Sequence, residues 1–273
     1  MHVTGEAPLP VYDASDGAAY ERFLGRWTKR LAPLFVEFAR LPPDGDILDV
    51  GCGTGNLALS LAQARSSGRI VGVDLAEPYL AYARKREVAT LAHFAVSDAC
   101  RLPFRDSAFA GALAQLVLNF VPNPISAVRE MRRVTRPGGT IAAAVWDFRG
   151  GLAYQRLFWE SAVGVDASAE VVRDKLLSHP LALAPGLVDL WAEAGLTEIE
   201  RSALTIQMDY ASFADYWLPL LGGQGPVGSY LARVSPTLRA EIERRVRTSY
   251  LSGGQDGPRA MAATAWAVRC TVP

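Results

Sequence analysis

Asp49-Val50-Gly51-Cys52-Gly53-Thr54-Gly55 joins two stretches of different character, and its reading decides the architecture. Before it, Asp46–Val50 (DILDV) is a short apolar run bounded by Pro42-Pro43-Asp44-Gly45, the pattern of a buried parallel strand. After it, Leu57, Leu59, Leu61 and Ala62 predict a helix that ends near Ser66-Ser67-Gly68. Strand, glycine turn and helix together make a nucleotide-type site, because glycine lets the chain turn tightly and lets a ligand lie against the backbone. The last glycine comes one place too early for the dinucleotide fingerprint GxGxxG, whose final position holds Asn56. A pyrophosphate cradle is therefore disfavoured.

Outward from this turn the alternation continues. Arg69–Val73 reads as a strand, 77–87 as a helix with Pro78 in its first turn, and Ala92–Val96 as a third strand. Gly111–Leu116, a helix over Pro124–Val134, the turn Arg136-Pro137-Gly138-Gly139 and the strand Thr140–Trp146 follow. Regular β–α alternation with apolar strands predicts an α/β fold with helices on both faces of a mostly parallel sheet. From Gly150 the rhythm changes. Leu152–Val163 and Ala184–Ala194 read as helices, the second closing on Gly195, and Glu198–Ile206 as a strand. The aromatic, glycine-containing stretch Tyr210–Tyr250 reads as a helical insertion, and Ala262–Val272 as the last strand.

Composition bounds the class. The 273 residues are 50% hydrophobic and 21% charged, with 28 basic against 28 acidic side chains. No block of like charge is present to follow a phosphate backbone, so nucleic acid is not an expected partner. Cys52, Cys100 and Cys270 are scattered, which suits a reducing, cytoplasmic setting, and Cys52 is expected to pack behind the turn. His2, His93 and His179 have no metal-ligand spacing, so no metal is expected. The start of the chain does not read as a signal peptide, and the apolar run Leu113–Val121 is too short to span a bilayer.

Three strand ends then converge on one ligand. Asp74 closes Val71-Gly72-Val73-Asp74, where a carboxylate accepts hydrogen bonds from ribose hydroxyls. Ser97-Asp98-Ala99 follows the third strand, where an acid meets the exocyclic amine of a base.

The segments ILDVGCGTGNLA (47–58), VGVDLAEPYLAYAR (71–84), SDACRLPF (97–104), LAQLVLNFVPNP (113–124) and RRVTRPGGTIAAAVWD (132–147) resemble, in order and spacing, the motifs of class I S-adenosylmethionine-dependent methyltransferases. The likeness covers about 41–147 and is nearest to the methyltransferase type 11 branch, which includes ubiquinone and menaquinone C-methyltransferases. It implies a Rossmann-like seven-stranded sheet, the last strand antiparallel and inserted beside the fifth. It implies S-adenosylmethionine as cofactor and methyl transfer to a small-molecule acceptor, the O, N or C atom being open. The resemblance places Gly51, Cys52, Gly53 and Gly55 at the methionine part, and Asp49 near its ammonium group. Asp74 and Leu75 fall at the ribose, Asp98 and Ala99 at the adenine, and Gln115 and Leu116 beside the methionine and sulfonium. Tyr12-Asp13 to Trp27 resembles the segment that folds over the cofactor, with Tyr20 and Trp27 as aromatic faces for a sulfonium; an amphipathic helix packing Phe23, Trp27 and Leu31 on the core explains the same residues.

The expected organisation is one domain, 1–273. Within it, 1–40 covers the cofactor, 41–150 binds it, and the insertion 207–258 caps the acceptor site. Phe120, Tyr216, Trp217 and Gln224 are the candidate acceptor wall, with the glycine run as a gate; the aromatics could equally form the insertion's own core. No catalytic base can be assigned. A homodimer is possible. Rival readings are an NAD-dependent oxidoreductase on the same sheet and a regulatory protein that binds the cofactor without turnover.

Overall fold

The computed structural model describes residues 14–86 and 92–273; Tyr12, Asp13 and the rest of 1–13, like the end of the helix read over 77–87, lie outside it. The strands are β1 (Ile47–Val50), β2 (Ile70–Asp74), β3 (Ala92–Val96), β4 (Phe109–Gln115), β5 (Thr135–Trp146), β6 (Glu200–Tyr210) and β7 (Arg259–Thr271). They form one seven-stranded sheet in the order β3-β2-β1-β4-β5-β7-β6. The first five strands are parallel, and β7 runs antiparallel to both β5 and β6. This is the expected Rossmann-like sheet with its last strand inserted beside the fifth.

The connections α3 (Asn56–Ala64), α4 (Glu77–Ala83) and α5 (Pro124–Val134) alternate with the strands. At the start of the chain, α1 (Gly17–Tyr20) continues through a π-helical turn, Glu21–Gly25, into α2 (Arg26–Ala39). Asp16 caps α1 by accepting from the amides of Ala18 and Ala19. After β5 come α6 (Ala153–Val163), α7 (Ala167–Leu177) and α8 (Ala184–Glu193). The insertion between β6 and β7 comprises α9 (Phe213–Trp217), α10 (Gly225–Leu231) and α11 (Pro236–Leu251).

Both sheet faces are covered, so β1 is buried along its whole length and shows no polar alternation. Ile47 packs with Leu31, Phe35 and Leu113 on one side, and Leu48 and Val50 with Val128, Leu187 and Trp191 on the other. With a side-chain period of two, Asp49 shares the face of Ile47, an ionisable group among apolar neighbours.

Beyond shifts of a few residues at strand ends, two segments and one helix differ from the sequence reading. The turn at 136–139 is absorbed into β5 as an irregularity: Phe109 pairs with Thr135, and regular pairing resumes at Gly111 with Thr140. β6 runs on to Tyr210, since as an edge strand it buries Ile206, Met208 and Tyr210 and leaves Gln207 and Asp209 exposed. α7 was not expected, because it buries only Ala169 and Leu176 and so carries little apolar periodicity.

Candidate functional site

The glycine turn leaves β1 with Gly51 and Gly53 at φ of 70° and 52°. A side chain on Gly51 would need that left-handed backbone and would also lie within 2.4–2.7 Å of Val117. Around Gly53 the space is open, with Tyr79 at 3.8 Å as the nearest neighbour of an added Cβ. The amides of Gly51 and Cys52 donate to the Val73 carbonyl at 2.7 and 3.0 Å, and that of Gly53 to Asp74 Oδ2 at 2.8 Å. Asp74 Oδ1 accepts from the Ala76 amide at 2.8 Å. Asp74 thus fixes the turn and the start of α4, and burial raises its pKa against those amide bonds.

Gly51, Gly53, Asp74 and Leu75 line a cavity of about 400 Å³, together with Asp98 and Ala99 from the β3 end. Gln115 and Leu116 line it from the β4 end, and Tyr20 covers it from above. Leu75 is 66% exposed, an apolar surface waiting for a partner at the cavity edge. Leu116 has φ of 63°, a left-handed conformation unusual for a leucine, beside the cavity. Gln115 donates to the Thr28 carbonyl at 3.2 Å, while its Oε1 is buried without a hydrogen bond among the described residues.

Asp49 is the more demanding group. Both its oxygens are buried with no hydrogen bond among the described residues, and the Ala58 backbone gives only weak support. Burial first, and the neighbouring Asp74 charge second, push this acid up to about 8. A buried carboxylate in this condition fits a cation supplied from outside the protein.

The first helices are strapped to the turn. Glu21 accepts from Thr54 Oγ1 and, at 2.9 Å, from Asn56 Nδ2. Arg86 lies 3.5 Å from the Glu21 carboxylate and donates to the Thr54 carbonyl at 2.8 Å and to Asn56 Oδ1 at 2.9 Å. Above the cavity the rings of Tyr20 and Tyr79 are 5.1 Å apart, and Tyr79 Oη donates to Gln224 Oε1 at 2.5 Å.

Beyond the turn the cavity walls become apolar: Phe120, Val121, Trp146, Phe148, Tyr154 and Pro226. Phe120 is therefore where it was expected. Seven other expected site residues do not line the cavity: Asp49, Cys52, Gly55, Trp27, Tyr216, Trp217 and Gln224. Trp27 is buried against Tyr210, with ring centroids 5.3 Å apart, and Arg26 and Arg30 lie over its ring; it packs α2 on the sheet rather than facing the cavity. Trp217 stacks on Phe213 at 6.0 Å and Phe158 at 6.4 Å, and Tyr216 packs between Tyr210 and Tyr250. These aromatics are the insertion's own core, because they turn inward to bury their area. Gln224 sits just behind the wall, and its chain neighbours Gly225 and Pro226 line the cavity. Cys52 packs behind the turn, 2.9 Å from where a Gly72 side chain would begin, and burial raises its thiol.

The sequence reading missed Trp146, Phe148, Tyr154 and Gln155. The only signal was their place just past the end of a parallel strand, where this fold gathers its ligand contacts. A larger cleft of about 680 Å³ lies between α6 and α11, with Arg156, Arg244, Arg245 and Met261 on its walls, and it shares no lining residue with the cavity at the glycine turn.

Residues 48–143 match a family described as methyltransferase domain. The chain carries a class I S-adenosylmethionine-dependent methyltransferase domain. Over 107 residues this methyltransferase is 38% identical to the demethylmenaquinone methyltransferase of Roseiflexus castenholzii, covering 39% of this chain and 45% of that protein. It is 27% identical over 232 residues to an uncharacterized protein of Mycobacterium tuberculosis, covering 82% of each. In fold it resembles Haemonchus contortus phosphoethanolamine N-methyltransferase 2 in complex with S-adenosyl-L-methionine, with a TM-score of 0.56 and 15% identity, over 94% of this chain and 56% of that one. It also resembles the [4+2]-cyclase SpnF, with a TM-score of 0.53 and 23% identity, over 90% of this chain and 82% of that one. Among the described residues there is no His, Cys, Asp and Glu cluster able to hold a metal, and no helix long and apolar enough to cross a membrane.

Proposed function

We propose that the methyltransferase holds S-adenosylmethionine at the glycine turn and transfers its methyl to a small, largely apolar acceptor bound against Phe120, Trp146, Phe148 and Tyr154. The observation that carries this reading is one cavity running from the turn and Asp74 to an aromatic wall without interruption. Gly51, Cys52, Gly53 and Gly55 shape the methionine end, with Asp49 opposite the ammonium group. Asp74 receives the ribose hydroxyls while Leu75 covers the ring system, and Asp98 and Ala99 take the adenine edge. Gln115 and Leu116 border the methionine chain, and Tyr20 closes the roof. When bound, the cofactor supplies an electrophilic methyl on a sulfonium with a neutral thioether as leaving group.

The chain's own task is alignment and exclusion of water. No carboxylate or imidazole stands among the described residues of the acceptor wall, and burial holds the Tyr154 phenol protonated well above its ordinary range. Tyr154 thus serves as a hydrogen-bond donor rather than a base. With no base on the wall, the acceptor must bring its own nucleophile, such as a phenol or quinol that has lost its proton in solution before it binds. Residues 1–40 act as the cofactor cover, and the insertion reaches the acceptor through Gly225 and Pro226, with Gln224 behind them. Balanced charge speaks against nucleic acid as the acceptor.

Because the fold also houses a cyclase, cofactor binding alone does not prove turnover. Calorimetry with S-adenosylhomocysteine against NAD tests the first half of the proposal. Transfer of a labelled methyl to a panel of naphthoquinols and phenols tests the second. Tight NAD binding without S-adenosylhomocysteine binding would sink it; binding of S-adenosylhomocysteine with no methyl release over the panel would favour a non-catalytic role.

A further inference from the structure

One buried hydrogen bond joins the cofactor end of the cavity to the insertion. Tyr79, in α4, is 4% exposed and lines the cavity beside the glycine turn, its ring 3.8 Å from where a side chain on Gly53 would begin. Gln224 is 2% exposed and stands 145 residues further along the chain, at the start of α10. The bond from Tyr79 Oη to Gln224 Oε1, at 2.5 Å, is the polar tie between them.

The chain around Gln224 is otherwise lightly held. Gly223 and Gly225 stand at φ of 75° and 66°, and a side chain on Gly223 would meet nothing within 4 Å. Gln224 Nε2 donates to the Gly222 carbonyl and Ser229 Oγ to the Gly223 carbonyl, each at 3.4 Å, beyond the usual length of a hydrogen bond. Gly225 and Pro226, which follow directly, are on the cavity wall. Without Tyr79, Gln224 Oε1 would lose its short partner while buried, a cost that opening of the run to water relieves. Tyr79 therefore borders one ligand and anchors the wall for another. A ligand lying on Gly53 packs against the Tyr79 ring, which the Tyr20 ring backs at 5.1 Å, and so keeps the phenol directed at Gln224.

We propose that Tyr79 is a positioning residue: acting through Gln224, it lets cofactor bound at the glycine turn close the run 222–226 and so complete the acceptor wall. The cofactor enters first, and the wall forms on it. This rests on the methyltransferase reading of the cavity. Because the coupling is a free energy, the bound ligand and the closed run favour each other by the same factor.

The test is hydrogen–deuterium exchange on the full chain, free and saturated with S-adenosylhomocysteine, followed at the amides of residues 222–225. In the parent protein the ligand should slow their exchange about tenfold or more. Tyr79→Phe keeps the ring on Gly53 and removes the O–H, and Gln224→Met keeps the length and removes the accepting oxygen. Each should cut the slowing to less than about threefold with S-adenosylhomocysteine still bound. Tyr230→Phe is the control: it removes the 2.5 Å bond from the same insertion to Asp166, away from the cavity lining, and should leave the slowing as in the parent. No slowing in the parent, slowing that survives both Tyr79→Phe and Gln224→Met, or an equal loss in Tyr230→Phe would overturn the proposal and leave the cofactor reading intact. Failure of S-adenosylhomocysteine to bind the parent protein would overturn both.

Discussion

The hydroxyl of Tyr216 donates a 2.8 Å hydrogen bond to the backbone carbonyl of Tyr154. The insertion therefore shapes the acceptor wall from behind: Tyr216 holds the first turn of α6, whose side chains Tyr154 and Gln155 face the cavity. The ring of Phe23, from the π-helical turn, packs edge-on to Tyr154 at 6.1 Å from the other side. One tyrosine is thus gripped by the two segments that flank the cofactor core in sequence.

Tyr216→Phe removes this bond and nothing else, so stability should fall by about 0.5–1.5 kcal/mol, and acceptor turnover should fall with it. Affinity for S-adenosylhomocysteine should not move. Thermal melts and calorimetry on the same sample check both halves; a loss of S-adenosylhomocysteine affinity would show that the insertion supports the cofactor site instead.

Asp74→Ala should weaken S-adenosylhomocysteine by roughly 1–3 kcal/mol, since ribose hydroxyls would lose a charged acceptor. The same change also frees the amides of Gly53 and Ala76, so Asp74→Asn, of equal shape, separates the loss of charge from loss of the turn. An unchanged affinity in both folded variants would remove Asp74 from the site.

Asp49 makes a prediction in pH. Its acid is raised in the folded chain to about 8 against about 3.9 when unfolded. The native state therefore holds the proton more firmly, and stability is full below the unfolded value and is lost as pH rises towards 8. Asp49→Asn should stabilise the ligand-free protein by on the order of a few kcal/mol at pH 8 and hardly at all at pH 4. It should also weaken S-adenosylhomocysteine roughly tenfold or more. In the parent protein an ammonium beside Asp49 draws it into its ionised form, so binding at pH 7 should release a proton. Calorimetry in buffers of different ionisation enthalpy reads that proton directly; zero release would place the ammonium elsewhere.

Glu21 ties the first helices to the turn through Thr54, Asn56 and Arg86. Glu21→Gln keeps the shape and removes the charge, and dissociation of S-adenosylhomocysteine should speed up about tenfold by stopped flow, with little change in the association rate. A dissociation rate equal to that of the parent would show that the strap does not retain the cofactor.

Much of this architecture was legible because it is written in local chemistry. The turn from Gly51 to Gly55 needs left-handed backbone, so glycine marks it, and β1 is buried on both faces, so an unbroken apolar run marks it. The acids at 74 and 98 stand at strand ends that topology brings together. The acceptor wall was not legible for the opposite reason. Tyr154 and Tyr216 are both aromatic residues on helices, and only packing decides that the first faces the cavity while the second faces Tyr250. Trp27 looked like a cofactor lid by its position, but its area is spent on Tyr210. α7 escaped notice because a helix that buries two residues leaves almost no periodic trace.

The place of β7 bears on how the molecule is made. Synthesis delivers β6 before β7, yet β7 lies between β5 and β6 and pairs with both along most of its length. Until residues 259–271 have left the ribosome, β5 is paired on one side only, with β4, and β6 has no strand beside it, the two separated by the gap the later strand will fill. A nascent or prematurely stopped chain thus displays two sticky strands, Thr140–Trp146 and Ala203–Tyr210, at once. Completion of this sheet waits for its last strand, and a chain stopped before residue 259 is the form that quality-control proteases and chaperones would meet.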